Sequence, residues 1–579
     1  MKRPAEELPE SKRKTAKAGH KSTPGGQPPE RKARQPQTNE TEQQKDAYLQ
    51  VGRYLFEQFS IPAFRSHATV CLVDRDRIQF YHANHSVILV SSAINFSQNY
   101  QGDGVDKFIA IVIGFSQLSL RDNGILHDLH NGRLFADNKK LVTVGAYREA
   151  AQMQEGNKLV LKGGKLKRPV TLTYGEVISH EPSLAGRATA VLEVKSSSLW
   201  KDLDLVAKIS WPGSNRVAES VFLEKAVETA ESSAEDKWAL KHLPQVLFAQ
   251  DVVFGADSTH ERVAKLFENP EFVDPRRKLV YERRALRIIV QERLYPLNTL
   301  TEVEDIAQVF LDVACGTCFR SSSWVSYTHT NLVHRWLYLR AGILHRDFSL
   351  NNIMYRTIIE ENENGDLEEK VYGVLTDFDL ASWKEDLDDK YKQTSQQRTG
   401  TPPFMAQGLL DGSEPLHLYR HDLESLFYIM LIVATRYEIK PTTKKQPGGL
   451  RARRGIKDLP YQDWFNQESY KALADSKNTF FTKKADLNLS PAFEDFRGWL
   501  VDFRRSFLEG SRSKQDYIDI HKGSEDEVVV TFDDETLGGH VDYSALINPA
   551  KKLKGKLENL IVRYDPSTQT SDDSVETNR

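Results

Sequence analysis

Cysteine is nearly missing from this chain. Three occur in 579 residues, Cys71, Cys315 and Cys318, too few and too odd a set for a disulfide framework, and the scarcity points to a reducing compartment. Long hydrophobic runs are missing as well. No stretch approaches the roughly 18 apolar residues of a membrane-spanning helix, so no membrane partner is expected. The opening MKRPAEELPE lacks the apolar core of a secretory signal, so an intracellular place, nucleus or cytoplasm, is expected. Nor is there an excess of one charge: the formal net charge is -3, which gives no global pull toward nucleic acid or an acidic membrane. What is present is a hydrophobic share of 39%, enough for a real core. The chain is too long for one domain of roughly 100–200 residues.

Its texture is uneven. Residues 1–45 are rich in Lys, Arg, Pro, Glu and Gln and read as a disordered basic tail, since they bury too little to offset ordering entropy. The clusters Lys2-Arg3, Lys12-Arg13-Lys14 and Arg31-Lys32-Ala33-Arg34 suit either a nuclear import signal or a solvated tail. Residues 46–175 read as an N-terminal α+β extension with no catalytic constellation. It opens with the helical spacing of YLQVGRYLFEQF, followed by the β-rich runs ATVCLVDRDRIQFYHA and SVILVSSAINF. VDKFIAIVIGFSQLSL fits a buried helix or strand equally, and KLVLKGGKLKRPVTL predicts a hairpin turning at Gly163-Gly164. CGTC at Cys315–Cys318 has metal-like spacing, but no second CxxC exists. Inside IAQVFLDVACGTCF these read as core cysteines. The basic segment 440–457, KPTTKKQPGGLRARRGIK, lacks aromatics for base stacking and reads as a solvated insertion, so nucleic acid is not an expected partner. Residues 563–579 read as a second disordered tail.

The chemistry lies between. Lys208 is embedded in the apolar strand pattern DLDLVAKISW, a costly position without an anionic partner. The helical stretch NRVAESVFLEKAVETA offers Glu219 or Glu224. A lysine–glutamate pair can present an ammonium to nucleotide phosphates; the plain alternative is a lysine snorkelling to the surface. In AGILHRDFSLNNIMY, Asn352 lies five residues beyond Asp347 of His345-Arg346-Asp347. That spacing aims a carboxylate at a substrate hydroxyl and an amide oxygen at a divalent ion. VYGVLTDFDLAS predicts a strand ending near Asp377, placed to hold Mg²⁺. Between them, YRTIIEENENGDLEEKVYG reads as two strands joined at Asn364-Gly365. Glycine is scarce where a phosphate loop would use it. Of G-x-G-x-x-G-x-V only Gly186 and Val191 fit, with Leu184 and Thr189 at the outer positions, so nucleotide positioning leans on Lys208 and metal. Singly each feature has a bland explanation; their order along the chain is what points to phosphoryl transfer.

In GRATAV, LVAKISWP, AGILHRDFSLNNIM, LTDFDLAS, RTGTPPFMA and HDLESLFYIM, the chain resembles eukaryotic-type protein kinases, and most closely the fungal-type protein kinase family, over about residues 50–520. The resemblance implies an α+β, bilobal fold: an antiparallel β small lobe over 176–293 and a mainly α large lobe over 294–562. It implies ATP and Mg²⁺ between the lobes and transfer of the γ-phosphate to Ser or Thr of a protein substrate. Residue by residue, it implies Lys208 on the α- and β-phosphates, with Glu219 favoured over Glu224 because ESVFL repeats the Glu-x-x-apolar-apolar pattern. Asp347 is then the catalytic aspartate with Arg346 beside it, and Asn352 and Asp377 are metal ligands. Gly186, Val191 and Gln291 lie around the nucleotide. Asp422 anchors the catalytic loop's backbone from a buried helix, and Thr401 docks the Gly-Thr step on that loop. Arg346 is also expected to pair with a phosphate on Thr394, Ser395 or Thr399.

Three positions depart from the pattern. Asp379 replaces the glycine of Asp-Phe-Gly, where positive φ is costly for it. Gly408 stands where a buried carboxylate normally pairs with an arginine. Ser349 replaces a lysine, removing one cation from the γ-phosphate. Two other readings therefore stay open: a pseudokinase scaffold that binds nucleotide with little turnover, and a small-molecule phosphotransferase of the aminoglycoside or choline type, which Asp377-Phe378-Asp379 suits equally. The 22 residues between Asp377 and Gly400, closed by GTPPFMA, favour a protein substrate. Nothing in the sequence speaks to oligomeric state.

Overall fold

A computed structural model of the chain describes residues 38–60, 65–97, 102–118, 122–126, 153, 155–252, 254, 258–269, 272, 281–314, 333–361, 364–387, 400–414, 416–454, 459–467, 469–483, 486–521, 531–553 and 557. The chain divides into residues 1–52 and 53–579. The first unit contributes the start of helix α1, Thr38–Ser60. This helix begins inside the segment read as a tail, so the expected boundary at residue 45 lies too late.

In the second unit, strands β1 (His67–Asp74) and β2 (Arg77–Asn84) pair antiparallel from His67↔Asn84 to Asp74↔Arg77. Two short strands, β3 (Ile88–Val90) and β4 (Ile94–Asn95), also pair with β2. After β2 the Asn84 side chain accepts the backbone N–H groups of Ser86 and Val87 at 2.9 and 3.0 Å. This local turn replaces strand bonds. The run that fitted helix or strand is helix α2, Gly104–Gln117, and it is not buried: Ile109, Val112 and Ile113 are about half exposed. Apolar residues occur all round it, so only one edge can be covered. There Phe108 and Phe115 stack on Phe96 and Phe80, with ring centroids 4.6 and 5.5 Å apart.

Six antiparallel strands form the main sheet: β5 (Lys158–Leu161), β6 (Val170–His180), β7 (Ala190–Ser196), β8 (Leu205–Ser210), β9 (Val246–Val252) and β10 (Leu286–Glu292). Their order across it is β5-β6-β7-β8-β10-β9. The β5–β6 loop turns through Gly163 and Gly164 at φ 83° and 58°, conformations that favour glycine. The domain boundary expected at 175 falls inside β6. Leu159, Leu161, Leu172 and Tyr174 share one core with Leu192, Ala207, Ile209 and Ile288, so the β5–β6 hairpin belongs to this sheet and not to the extension.

Helix α3 (Glu219–Glu231) turns Phe222, Leu223, Ala226 and Ala230 into a second, larger core. That core is mainly helical. Its centre is helix α5 (Tyr419–Arg436), buried at every residue but Arg436, between helices α4 (Val303–Ala314) and α6 (Arg497–His521). The predicted hairpin insertion is present as β11 (Ile353–Glu361) and β12 (Leu367–Leu375), in register from Ile353↔Leu375 to Glu361↔Leu367. Gly373 on β12 lies against α4: a Cβ there would meet the Val309 carbonyl oxygen at 2.7 Å and the Asp312 Cβ at 2.9 Å. Its N–H donates to Asp312 Oδ2 at 2.9 Å, so the approach is held as well as close. Gly373→Ala is therefore expected to cost about 2 kcal/mol through overpacking, read as a lower urea midpoint with an unchanged slope.

The basic segment 440–457 is more ordered at its base than expected. Tyr437–Lys440 pairs with Gly449–Ala452, and Gly448, Gly449 and Leu450 are buried while the tip, 441–447, is exposed. Outside the described residues lie the basic clusters of the tail, Cys315–Cys318, Thr394, Ser395, Thr399 and residues 563–579. Among the described residues no helix is long and apolar enough to cross a membrane.

Candidate active site

Lys208 sits in mid-sheet on β8, opposite Val191 on β7 and Ile289 on β10. Its side chain is only 12% exposed, and its Nζ reaches Glu219 Oε2 at 2.8 Å, Asp377 Oδ1 at 2.8 Å and Asp379 Oδ2 at 3.1 Å. Burial opposes the charge, but Asp377, Asp379 and Glu219 outweigh it and hold the ammonium well above its ordinary value. The acids divide unequally. Burial pushes Glu219 up to about 7, Lys208 opposes this, and the charges on Asp379 and Asp377 add to it. Burial also acts against Asp377, yet Lys208 and Arg187 hold its carboxyl well below the usual range. Asp377 thus keeps its charge, and between these two Glu219 is the one that takes up a proton more readily. Of the two glutamates considered for Lys208, Glu219 meets it at the start of α3. Glu224 pairs with Lys165 at the surface, 2.6 Å away.

Backbone strain at Asp377-Phe378-Asp379 falls on a different residue than expected. Asp377 is left-handed at φ 63°, while Asp379 lies in the short helical turn Phe378–Leu380. A non-glycine residue there is strained, and a hydrogen bond to Lys208 at 2.8 Å with an ion pair to Arg187 at 3.7 Å helps hold it. Asp379, 1% exposed, faces three cations: Lys208, Arg187 at 3.3 Å and Arg287 at 3.7 Å. Arg287 is itself fixed on β10 by two bonds to Asp251, at 2.7 and 2.9 Å. Asp379, Arg187 and Arg287 were not in the set read from sequence. The available signal was an aspartate at a glycine position, which has a charge to satisfy as well as a φ angle to adopt.

The loop with Asp347 is fixed from beneath. Buried Asp422 on α5 accepts the Arg346 backbone N–H and the His334 ring at 3.0 Å each, and the His417 ring at 2.8 Å. Burial would raise this carboxyl, but His417 and His334 hold it well below the ordinary range. Arg346 is left-handed, at φ 69°. His345 Nε2 bonds to the Thr376 carbonyl at 2.9 Å, and burial lowers this ring to about 4, so it is neutral at pH 7. Asp347 Oδ1 accepts Thr401 Oγ1 at 3.2 Å and Oδ2 accepts Asn352 Nδ2 at 3.3 Å. Asn352 Nδ2 also donates to the Asp347 carbonyl, at 2.8 Å. Burial, and then the Asp377 charge, raise the Asp347 carboxyl to about 6.

The remaining positions are less involved. Val191 is a register partner of Lys208. Gly186 donates its N–H to the His85 carbonyl at 2.9 Å. Gln291 pairs in the sheet with Val206 beside a register shift, and its side chain makes no hydrogen bond among the described residues. Ser349 is buried where the loop enters its last turn. Beside Gly408 a carboxylate is present after all. Glu414 Oε2 occupies the space of a Cβ at 408, 2.4 Å from its ideal place. It receives Arg420 at 2.7 Å and His421 at 2.5 Å, while Glu414 Oε1 receives Lys514 at 2.8 Å.

A family model described as fungal protein kinase matches residues 33–252 and 332–434. The chain belongs to the fungal protein kinase family. No curated protein matches it. Membership makes the chain a protein kinase in the broad sense, a transferase. In this fungal protein kinase the two matched blocks contain Lys208, Glu219, Asp347, Asn352, Asp377, Asp379, Thr401 and Asp422, with Gln291 and Arg287 between them.

Proposed function

We propose that this fungal protein kinase transfers the γ-phosphate of ATP, with Mg²⁺, to Ser or Thr hydroxyls of a protein substrate. The observation that carries the reading is the suspension of Asp347 between Thr401 and Asn352, one loop away from the cation–carboxylate group around Lys208. Asp347 is held by groups that fix its direction, and its raised carboxyl is suited to accepting a proton near neutral pH. Thr401 follows Gly400 (φ 122°) at the start of the segment that supplies the acceptor groove in this reading. That segment is held at Met405 by buried Lys477, 2.5 Å away, and at Gln407 by Glu424, 2.8 Å away.

Residues for a divalent ion fit its chemistry. Glu219, Asp377 and Asp379 each offer a carboxylate oxygen, all within 4.8 Å of one another, and buried Asp379 Oδ1 has no hydrogen-bond partner. Such hard oxygen donors suit Mg²⁺. Asp377 and Asn352 would hold the ion, with Asp379 adding an oxygen. When bound it neutralises charge on the phosphates. Lys208 orients the phosphates, Asp347 takes the hydroxyl proton, and the sheet and the helical core act as the two lobes that bring the reactants into line.

The test is transfer from γ-labelled ATP to peptide libraries carrying a single Ser, Thr or Tyr, with an aminoglycoside and choline as competing acceptors. Label on Ser and Thr peptides, abolished by EDTA, is the expected result. Label on the small alcohols alone would make the chain a small-molecule phosphotransferase. Nucleotide binding with label on none would make it a scaffold.

A further inference from the structure

The cations of the site are unequally placed. Lys208 has three N–H donors, and three carboxylates engage them, at 2.8, 2.8 and 3.1 Å. Its side chain is 12% exposed, whereas that of Arg187 is 36% exposed. Arg187 reaches two of these carboxylates with one nitrogen, Nη1, 3.3 Å from Asp379 and 3.7 Å from Asp377. A guanidinium carries five donors in a planar fork matched to phosphate, so one engaged nitrogen leaves donors to spare. Asp347 also lies within its electrostatic reach.

The backbone beneath Arg187 is held on both sides. The preceding N–H, of Gly186, donates to the His85 carbonyl at 2.9 Å, and the Arg187 carbonyl accepts the Trp211 N–H at 2.6 Å. The rings of His85 and Trp211 stack with centroids 4.3 Å apart, which joins the two anchors. The next residue, Ala188, turns the chain at φ 42°. The long side chain therefore extends over the carboxylates from a fixed Cα.

We infer that Arg187 contacts the γ-phosphate of bound ATP and supplies the cation that Ser349 does not, an assignment that rests on the ATP-dependent reading above. The guanidinium exchanges its bond to Asp379 for the phosphate's terminal oxygens, while Lys208 stays on the inner phosphates. Arg187 then distinguishes ATP from ADP, and Lys208 does not.

Binding of fluorescent ATP and ADP to the full chain in Mg²⁺, measured with turnover, tests this. Arg187→Gln is expected to weaken ATP binding at least tenfold, leave ADP within twofold, and lower kcat at least a hundredfold. Arg187→Lys, which keeps the charge but not the fork, is expected to recover most of the ATP preference. Equal weakening of ATP and ADP, or no change in either, would overturn the assignment and leave the kinase reading intact. Wild-type protein that binds neither nucleotide would overturn both. Circular dichroism of each variant separates a folding loss from a binding loss. If Arg187→Gln unfolds, Arg187→Ala takes its place and is read by the same ATP and ADP outcomes.

Discussion

Asp347→Asn is expected to reduce phosphate transfer about a thousandfold while leaving the protein more stable at pH 7.5. Both effects come from the same environment. Asp347 is buried, shares its surroundings with the charged Asp377, and has its carboxyl raised to about 6. An unfolded aspartate titrates near ~3.9. Folding therefore takes up a proton between these values, and the stability this contributes is full below about 4 and lost as pH rises through about 6. Above that, the folded chain holds a charge that costs up to about 3 kcal/mol. Asparagine removes the charge. It keeps an oxygen for Thr401 but turns an amide nitrogen toward that of Asn352, so the gain falls short of that bound. The melting temperature should rise at pH 7.5 and lose the rise at pH 5. The wild-type rate should fall as pH drops through about 6, where the base becomes protonated. A melting temperature lowered at pH 7.5 would contradict the account.

Lys208→Met should be the most destabilising single change at the site, at about 3–5 kcal/mol. The lysine is the cation shared by Glu219, Asp377 and Asp379. Without it, Arg187 and Arg287 remain at 3.3 and 3.7 Å from Asp379, and Glu219 keeps no cation within 4 Å among the described residues. Adding Glu219→Gln to the variant removes the charge left without a cation and should restore part of the loss. The sum of the two separate effects would then exceed the effect of the pair, and the excess measures their coupling. A urea midpoint within error of wild type for Lys208→Met would show that the acids protonate instead of repelling.

The legible parts of this site were those whose chemistry fixes a short spacing. Asp347 and Asn352 must act from one loop, so their separation is written in the chain. Lys208 in an apolar strand announced a need for an anion. The structure puts Glu219 there, and Glu224, five residues on, faces solvent. What the sequence could not show was fixed by residues far apart along it. Arg187 and Asp379 meet across 192 positions, and Lys514 reaches Glu414 beside Gly408 across 100. The helix α2 failed for another reason: a run apolar on every side has no period from which to read its buried face. The extent of the sheet is not legible because a hairpin contains no information about which neighbour its outer strand will take.

The bond from Gly186 to the carbonyl of His85 couples two stretches of chain a hundred residues apart. An amide already satisfied inside the protein is withdrawn from any anion that approaches the loop, so on the proposed ATP-dependent reading a phosphate there would have to displace the turn after β2 from the same donor. The segment ahead of the main sheet thereby anchors one end of the loop. Shortening or lengthening that turn would retune nucleotide residence time without altering a single group that meets the nucleotide.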